Sequence, residues 1–165
     1  FSMLMSGDWS AATLFSFTWD LDWIIEECPR ITKGFPVTLV EGSENLFQQL
    51  SDFCAKHKHL NVLGVKTPQY GSHHTKMIIL EFESGVRIGI FTANLEKYDW
   101  AQKSQGVWWQ DFPYSNQRSD EANEKNDHAN DFGEILVNYL KIVSRNCKNG
   151  LQNLIQRIEG LVDFS

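Results

Sequence analysis

Two short apolar runs meeting at a turn constrain this chain more than anything else in it. Met77 to Phe82 reads as a strand, Glu83-Ser84-Gly85 as the turn, and Val86 to Phe91 as the returning strand. Phe35 to Val40 predicts another short buried strand, with Pro36 near its start, where a missing N–H is tolerated. Asn61 to Val65 and Gly106 to Trp109 predict two more. Between and around them the apolar spacing changes to that of helices. Leu21, Ile24, Ile25 and Cys28 share a face that Pro29 ends, and Leu46, Phe47, Leu50, Phe53 and Cys54 share a second, capped by Ser43 and ending near Lys56. Two amphipathic helices close the chain, one carrying Ile135, Leu136, Tyr139, Leu140 and Val143, the other Leu151, Leu154, Ile155 and Ile158, with Lys148-Asn149-Gly150 between them. The first fifteen residues are weakly patterned, and Ser115 to Asp131 is polar enough to be a solvated loop. The order predicts an α/β fold, a layered sandwich of a mixed sheet between helices.

With 165 residues the chain suffices for one domain with a proper core. A hydrophobic fraction of 42% excludes a disordered chain. The net charge of −6 argues against a surface that grips nucleic acid everywhere, but leaves room for a local basic site. Cys28, Cys54 and Cys147 are isolated and odd in number, with no C-x-x-C, which predicts neither a disulfide framework nor a cysteine-rich zinc site, and points to a reducing compartment. No apolar run approaches the roughly 18 residues of a membrane span. The chain opens on Phe1 without a signal-peptide pattern, and is expected to be a fragment of something longer.

The chemistry concentrates in Tyr70-Gly71-Ser72-His73-His74-Thr75-Lys76, which runs straight into the strand Met77-Ile78-Ile79-Leu80. Side chains two apart in a strand share a face, so His74 and Lys76 are predicted to point at one spot and Thr75 the other way. An imidazole beside an ammonium suits a phosphate: the lysine neutralises non-bridging oxygens while the histidine attacks phosphorus or moves a proton. A hairpin centred on Ser84 folds Asn94 back beside His74, where its amide would orient a phosphate oxygen or the lysine. Other polar clusters have plainer readings. Lys56-His57-Lys58-His59 fits a solvated helix end, and His73 beside His74 lacks a third ligand of matching spacing, so no metal is expected. Trp108-Trp109 is open between packing and stacking on bases.

The segment Gly71-Ser72-His73-His74-Thr75-Lys76-Met77 resembles the first half-site of the tyrosyl-DNA phosphodiesterase family, within the phospholipase D superfamily. The likeness continues through Gly85-Val86-Arg87, Thr92-Ala93-Asn94-Leu95, Asp99-Trp100 and Gln102-Lys103-Ser104-Gln105-Gly106-Val107-Trp108, and includes the opening Trp19-Asp20-Leu21-Asp22-Trp23. The resemblance implies one phospholipase-D-like half over residues 1–165, the N-terminal domain of a longer protein. It implies His74 as the nucleophile of a phosphohistidine intermediate, Lys76 and Asn94 as holders of the phosphate oxygens, and Gln105 as a helper behind them. It places Tyr70 where an aromatic stacks on DNA, with Gly71 and Ser72 letting the backbone approach the strand. The implied activity is DNA repair without a metal or other cofactor, in the nucleus. Its substrate would be a 3′-phosphotyrosyl bond between DNA, single-stranded or nicked, and a topoisomerase-derived peptide.

The chain departs from the family in one respect. The family completes its site with a second His, Lys and Asn set from a C-terminal catalytic domain, the second histidine acting as general acid. No H-x-K recurs after Asn94; His128 is followed by Ala129 and Asn130. The wider superfamily also favours an Asp five positions after the lysine, where this chain has Glu81. Two alternatives stay open beside a lone half-site: a homodimeric phospholipase-D-type nuclease, and a non-catalytic module that binds single-stranded DNA through Tyr70 and Lys76.

Overall fold

A computed structural model describes residues 1–42, 44–115, 131–145, 151–162 and 164. The expected cap at Ser43, most of the polar loop, Cys147 and His128, and the Lys148-Asn149-Gly150 separator lie outside the described residues. The elements run β1 (Ala11–Ser16), α1 (Leu21–Glu27), a 3-10 turn (Pro29–Thr32), β2 (Val37–Glu41), α2 (Glu44–Ala55), β3 (Leu60–Gly64), β4 (Met77–Glu81), β5 (Gly85–Phe91), α3 (Lys97–Gln102), β6 (Val107–Pro113), α4 (Asp131–Ser144) and α5 (Gln152–Leu161).

Six strands form one mixed sheet in the order β3-β2-β1-β4-β5-β6. β1, β2 and β3 are parallel, while β4 runs antiparallel to β1 and β5, and β6 to β5. The strands are apolar on both faces because helices cover both. Leu14, Leu39, Ile78 and Leu80 face Trp9, Trp23, Ile24, Leu50 and Cys54. Phe15, Val40, Ile79 and Ile88 face Leu136, Leu140, Leu154 and Ile158 of α4 and α5. The expected layered sandwich is therefore the observed one.

Two elements exceed the sequence expectation. The weakly patterned opening contains β1, which lies inside the sheet rather than at its edge, and the segment after Asn94 contains α3. The hairpin also closes more tightly than expected: Phe82 N donates to Gly85 O at 2.8 Å, so Gly85 already belongs to β5 and the turn is Glu83-Ser84. Met77 consequently pairs with Ile90 and Ile78 with Gly89. Continuing that register sets Asn94 opposite His73, one residue away from the expected partner.

Candidate active site

The approach to β4 keeps the two-residue period of a strand and sorts its side chains by face. His73 Nε2 lies 2.6 Å from Tyr139 Oη of α4, and Thr75 also hydrogen-bonds Tyr139. His74 and Lys76 lie on the opposite side, where Lys76 Nζ contacts His74 Nδ1 and donates to the His74 carbonyl at 3.1 Å. Phe17 packs on the His74 imidazole with ring centroids 4.5 Å apart. Backbone fit matters as much: a Cβ on Gly42 would stand 1.9 Å from the His73 carbonyl oxygen, so only glycine lets the end of β2 pass this segment.

Lys76 is 7% exposed whereas His74 is open to solvent. Burial pulls the Lys76 ammonium below its ordinary range, and the negative charge of Asp99 pulls it back up. The same burial, with the neighbouring His74, lowers His73. His74 thus meets solvent with a cation against one ring nitrogen. An ammonium donating to Nδ1 leaves the proton of a neutral imidazole on Nε2.

Asn94 is positioned from two sides. Leu95 N donates to Ser16 Oγ at 3.0 Å, and continuing the β1–β4 register by one residue sets Ser16 beside Lys76. Asn94 N and Nδ2 both donate to Asp99 Oδ2, at 2.8 and 3.1 Å, and Trp100 Nε1 donates to Asn94 O. The Asn94 Oδ1 atom is buried and has no hydrogen-bond partner among the described residues. Gln105 braces this loop, its Nε2 donating to Asp99 O at 3.2 Å and its Oε1 accepting from Thr92 Oγ1 at 2.5 Å. The structure brings His74 and Lys76 into contact, and ties Asn94 and Gln105 to them through Asp99 and Ser16.

Tyr70, Gly71 and Ser72 are exposed at the entrance to this segment, and Tyr70 is 99% exposed. Tyr70 has φ 66° in the turn that Gly71 N closes on Pro68 O at 2.8 Å. Glu81 points away from His74 and Lys76, to the α4–α5 layer, where Arg157 Nη1 meets it at 2.6 Å. His59 Nε2 lies 2.9 Å from the Ile31 carbonyl. No cluster of three or more His, Cys, Asp or Glu suited to a metal occurs among the described residues, and no described helix is long and apolar enough to cross a membrane. Sequence reasoning missed Asp99 and Lys103 as parts of this network, although their i, i+4 spacing was available to it.

A mixed sheet between two helical layers, with His-x-Lys entering one strand and Asn leaving its hairpin partner, defines a phospholipase-D-like fold. A family model described as Tyrosyl-DNA phosphodiesterase matches residues 3–165, and the chain belongs to that family. It is 34% identical over 120 residues to "Tyrosyl-DNA phosphodiesterase 1" of Arabidopsis thaliana, covering 71% of this chain and 19% of that protein. It is 38% identical over 98 residues to a "Probable tyrosyl-DNA phosphodiesterase" of Caenorhabditis elegans, covering 58% and 21%. The chain thus spans about a fifth of the length of these relatives. Its fold matches a crystal structure of the yeast tyrosyl-DNA phosphodiesterase with TM-score 0.62 and 20% identity, covering 98% of this chain and 38% of that one. It also matches NucT of Helicobacter pylori with TM-score 0.52 and 12% identity, covering 98% of this chain and 87% of that one.

Proposed function

We propose that this chain carries the nucleophilic half of a DNA-repair phosphodiesterase that removes a tyrosyl or peptide adduct from a DNA 3′ phosphate. The observation that carries this reading is the pairing of a buried Lys76 ammonium with the solvent-facing imidazole of His74. A phosphate oxygen that takes the ammonium from Nδ1 leaves an imidazole lone pair free for attack. A histidine N–P bond then forms as the bond from phosphorus to the tyrosine oxygen breaks. The leaving phenolate takes its proton from a general acid contributed from outside this chain. Water afterwards cleaves the N–P bond and leaves a 3′ phosphate. Lys76 and Asn94 hold the phosphate oxygens, Gln105 steadies their loop, and Tyr70, Gly71 and Ser72 meet the DNA strand. The partners are single-stranded or nicked 3′ ends and a second catalytic domain, and the implied setting is the nucleus.

The test is a denaturing-gel and anisotropy assay on a single-stranded oligonucleotide ending in 3′-phosphotyrosine, without added metal. The chain alone is expected to bind the oligonucleotide without releasing tyrosine, and Lys76→Ala is expected to lose about tenfold in affinity or more, since a charged hydrogen bond to phosphate disappears. Equal binding by Lys76→Ala overturns the reading. The homodimeric alternative draws on the fold unit accounting for 87% of the NucT chain. It predicts tyrosine release that rises more steeply than linearly with protein concentration, and release by a pure monomer fits neither version.

A further inference from the structure

Asp99 is 3% exposed, yet its surroundings keep it charged. Burial opposes the carboxylate, but Lys103 Nζ on Oδ1 and the two Asn94 donors on Oδ2 more than offset that, and hold it below the usual carboxylate range. Lys103 is i+4 to Asp99, immediately past the end of α3, half exposed, and packed against Tyr98 with its Nζ 4.8 Å from the ring centroid. The buried carboxylate therefore has a cation on its solvent side and an amide on its inner side, and the path Asn94, Leu95 N, Ser16 Oγ leads from it to the row of the sheet that holds Lys76, the second cation its charge acts on.

This arrangement decides which way the Asn94 amide faces. A flipped amide would set Oδ1 against the Asp99 carboxylate, acceptor against acceptor, and lose the 3.1 Å bond. The observed orientation leaves Oδ1 buried and unpartnered among the described residues. An unpartnered buried acceptor is destabilising, and the two Asn94 bonds to Asp99 hold the amide in this orientation in spite of that.

We propose that Asp99, clamped by Lys103, is a positioning residue for the phosphate site: it fixes the Asn94 amide and supplies the counter-charge of the buried Lys76 ammonium. The inference rests on the phosphate-binding reading of His74 and Lys76, and adds to it the source of their charge balance. The charged and titratable groups around Lys76 are His74 from the approach segment, Asp99 from α3, and Glu41, which stands one strand beyond Ser16 in the same row of the sheet. Only the Asp99 pair is altered by the variants below.

Two variants of this chain separate positioning from simple scaffolding. Lysines labelled at Cε are titrated by NMR, with Lys76 assigned from Lys76→Arg, and binding of the 3′-phosphotyrosyl oligonucleotide is measured at neutral and at alkaline pH. Asp99→Asn keeps the shape and removes the charge, so Lys76 should titrate about one pH unit lower, and affinity should fall about tenfold more on the alkaline side than at neutrality. Lys103→Met removes the outer cation and leaves Asp99, so Lys76 should titrate higher than in the wild type. A role in folding alone gives no such opposed pair of shifts.

An unmoved Lys76 titration in a folded Asp99→Asn chain overturns the inference, and does so without touching the phosphate reading when Lys76→Ala still weakens binding. Conversely, unweakened binding by Lys76→Ala overturns the phosphate reading and the inference with it. Where Asp99→Asn does not fold, Lys103→Met alone carries the test, and a lowered or unchanged Lys76 midpoint overturns the proposal.

Discussion

At the scale of single residues, the clearest tension is at Tyr70. A β-turn closed by Gly71 N on Pro68 O places Tyr70 at the position where φ is positive, and its φ of 66° is a conformation usually left to Gly or Asn. Holding a non-glycine residue there costs on the order of 1 kcal/mol, and the 99% exposure of the ring means that packing within the chain recovers nothing. The proposed stacking of this ring on a base, worth about 1–3 kcal/mol, would offset such a cost. Tyr70→Gly is therefore expected to leave the thermal midpoint unchanged or raised, while the 3′-phosphotyrosyl oligonucleotide binds at least about fivefold more weakly. A variant that binds as well as the wild type would show the ring to be idle.

At the scale of elements, α4 acts on the site from behind the sheet. Its Tyr139 hydroxyl meets His73 and Thr75, the alternate residues of the segment that carries His74 and Lys76. Tyr139→Phe leaves His73, whose Nδ1 is already buried without a described partner, short of both its hydrogen bonds. The expected loss is about 1–3 kcal/mol, or roughly 3–10 °C in thermal midpoint for a chain of this size. His73 also adds an acid sensitivity. Its folded-state pKa is lowered by burial and by His74, so its contribution is present above the unfolded value of 6.5 and is lost as pH falls through the folded one. His73→Gln should flatten the fall in stability below that pH in equilibrium denaturation, and an unchanged slope would count against a buried neutral His73.

These elements also show what a reader of the sequence alone can reach. The His74–Lys76 pair was legible because a strand has a period of two and Met77 to Leu80 announces one. Asn94 was legible only approximately, since the Glu83-Ser84 turn is one residue shorter than expected and β5 ends at Phe91. β1 was hidden because Ala-Ala-Thr-Leu-Phe-Ser, covered on both faces, shows no alternation and two residues of low strand preference. α3 spans six residues, too few to display a helical period, and its buried Asp99 looks in sequence like any surface charge.

At the scale of the whole molecule, the described residues form two apolar clusters on opposite faces of the sheet, and polar ties at its margins fasten neighbouring segments to it. Arg87 binds the carbonyls of Leu4 and Ser6 at 3.2 and 3.0 Å and pairs with Asp111 at the β6 edge, fastening the N-terminal segment. Arg157 does the same for α5, through Glu81 at the end of β4. Glu81 is 6% exposed, and burial raises its pKa against the opposing pull of Arg157. Arg157→Ala leaves this carboxyl buried without its cation, at an expected cost of about 2 kcal/mol at neutral pH, since Arg157 itself is half exposed, or about 4–8 °C. The sign of its pH dependence follows from the raised value. A carboxyl whose folded pKa lies above the unfolded 4.5 contributes fully below 4.5 and loses that contribution as pH rises through the folded pKa. Without Arg157 the folded pKa rises further, so the variant should approach wild-type stability near pH 4 and fall furthest behind above pH 7. Thermal melts across that range decide the point. A deficit independent of pH would mean that Arg157 holds α5 by packing its stem rather than by its charge, and Arg157→Met would then restore the fold.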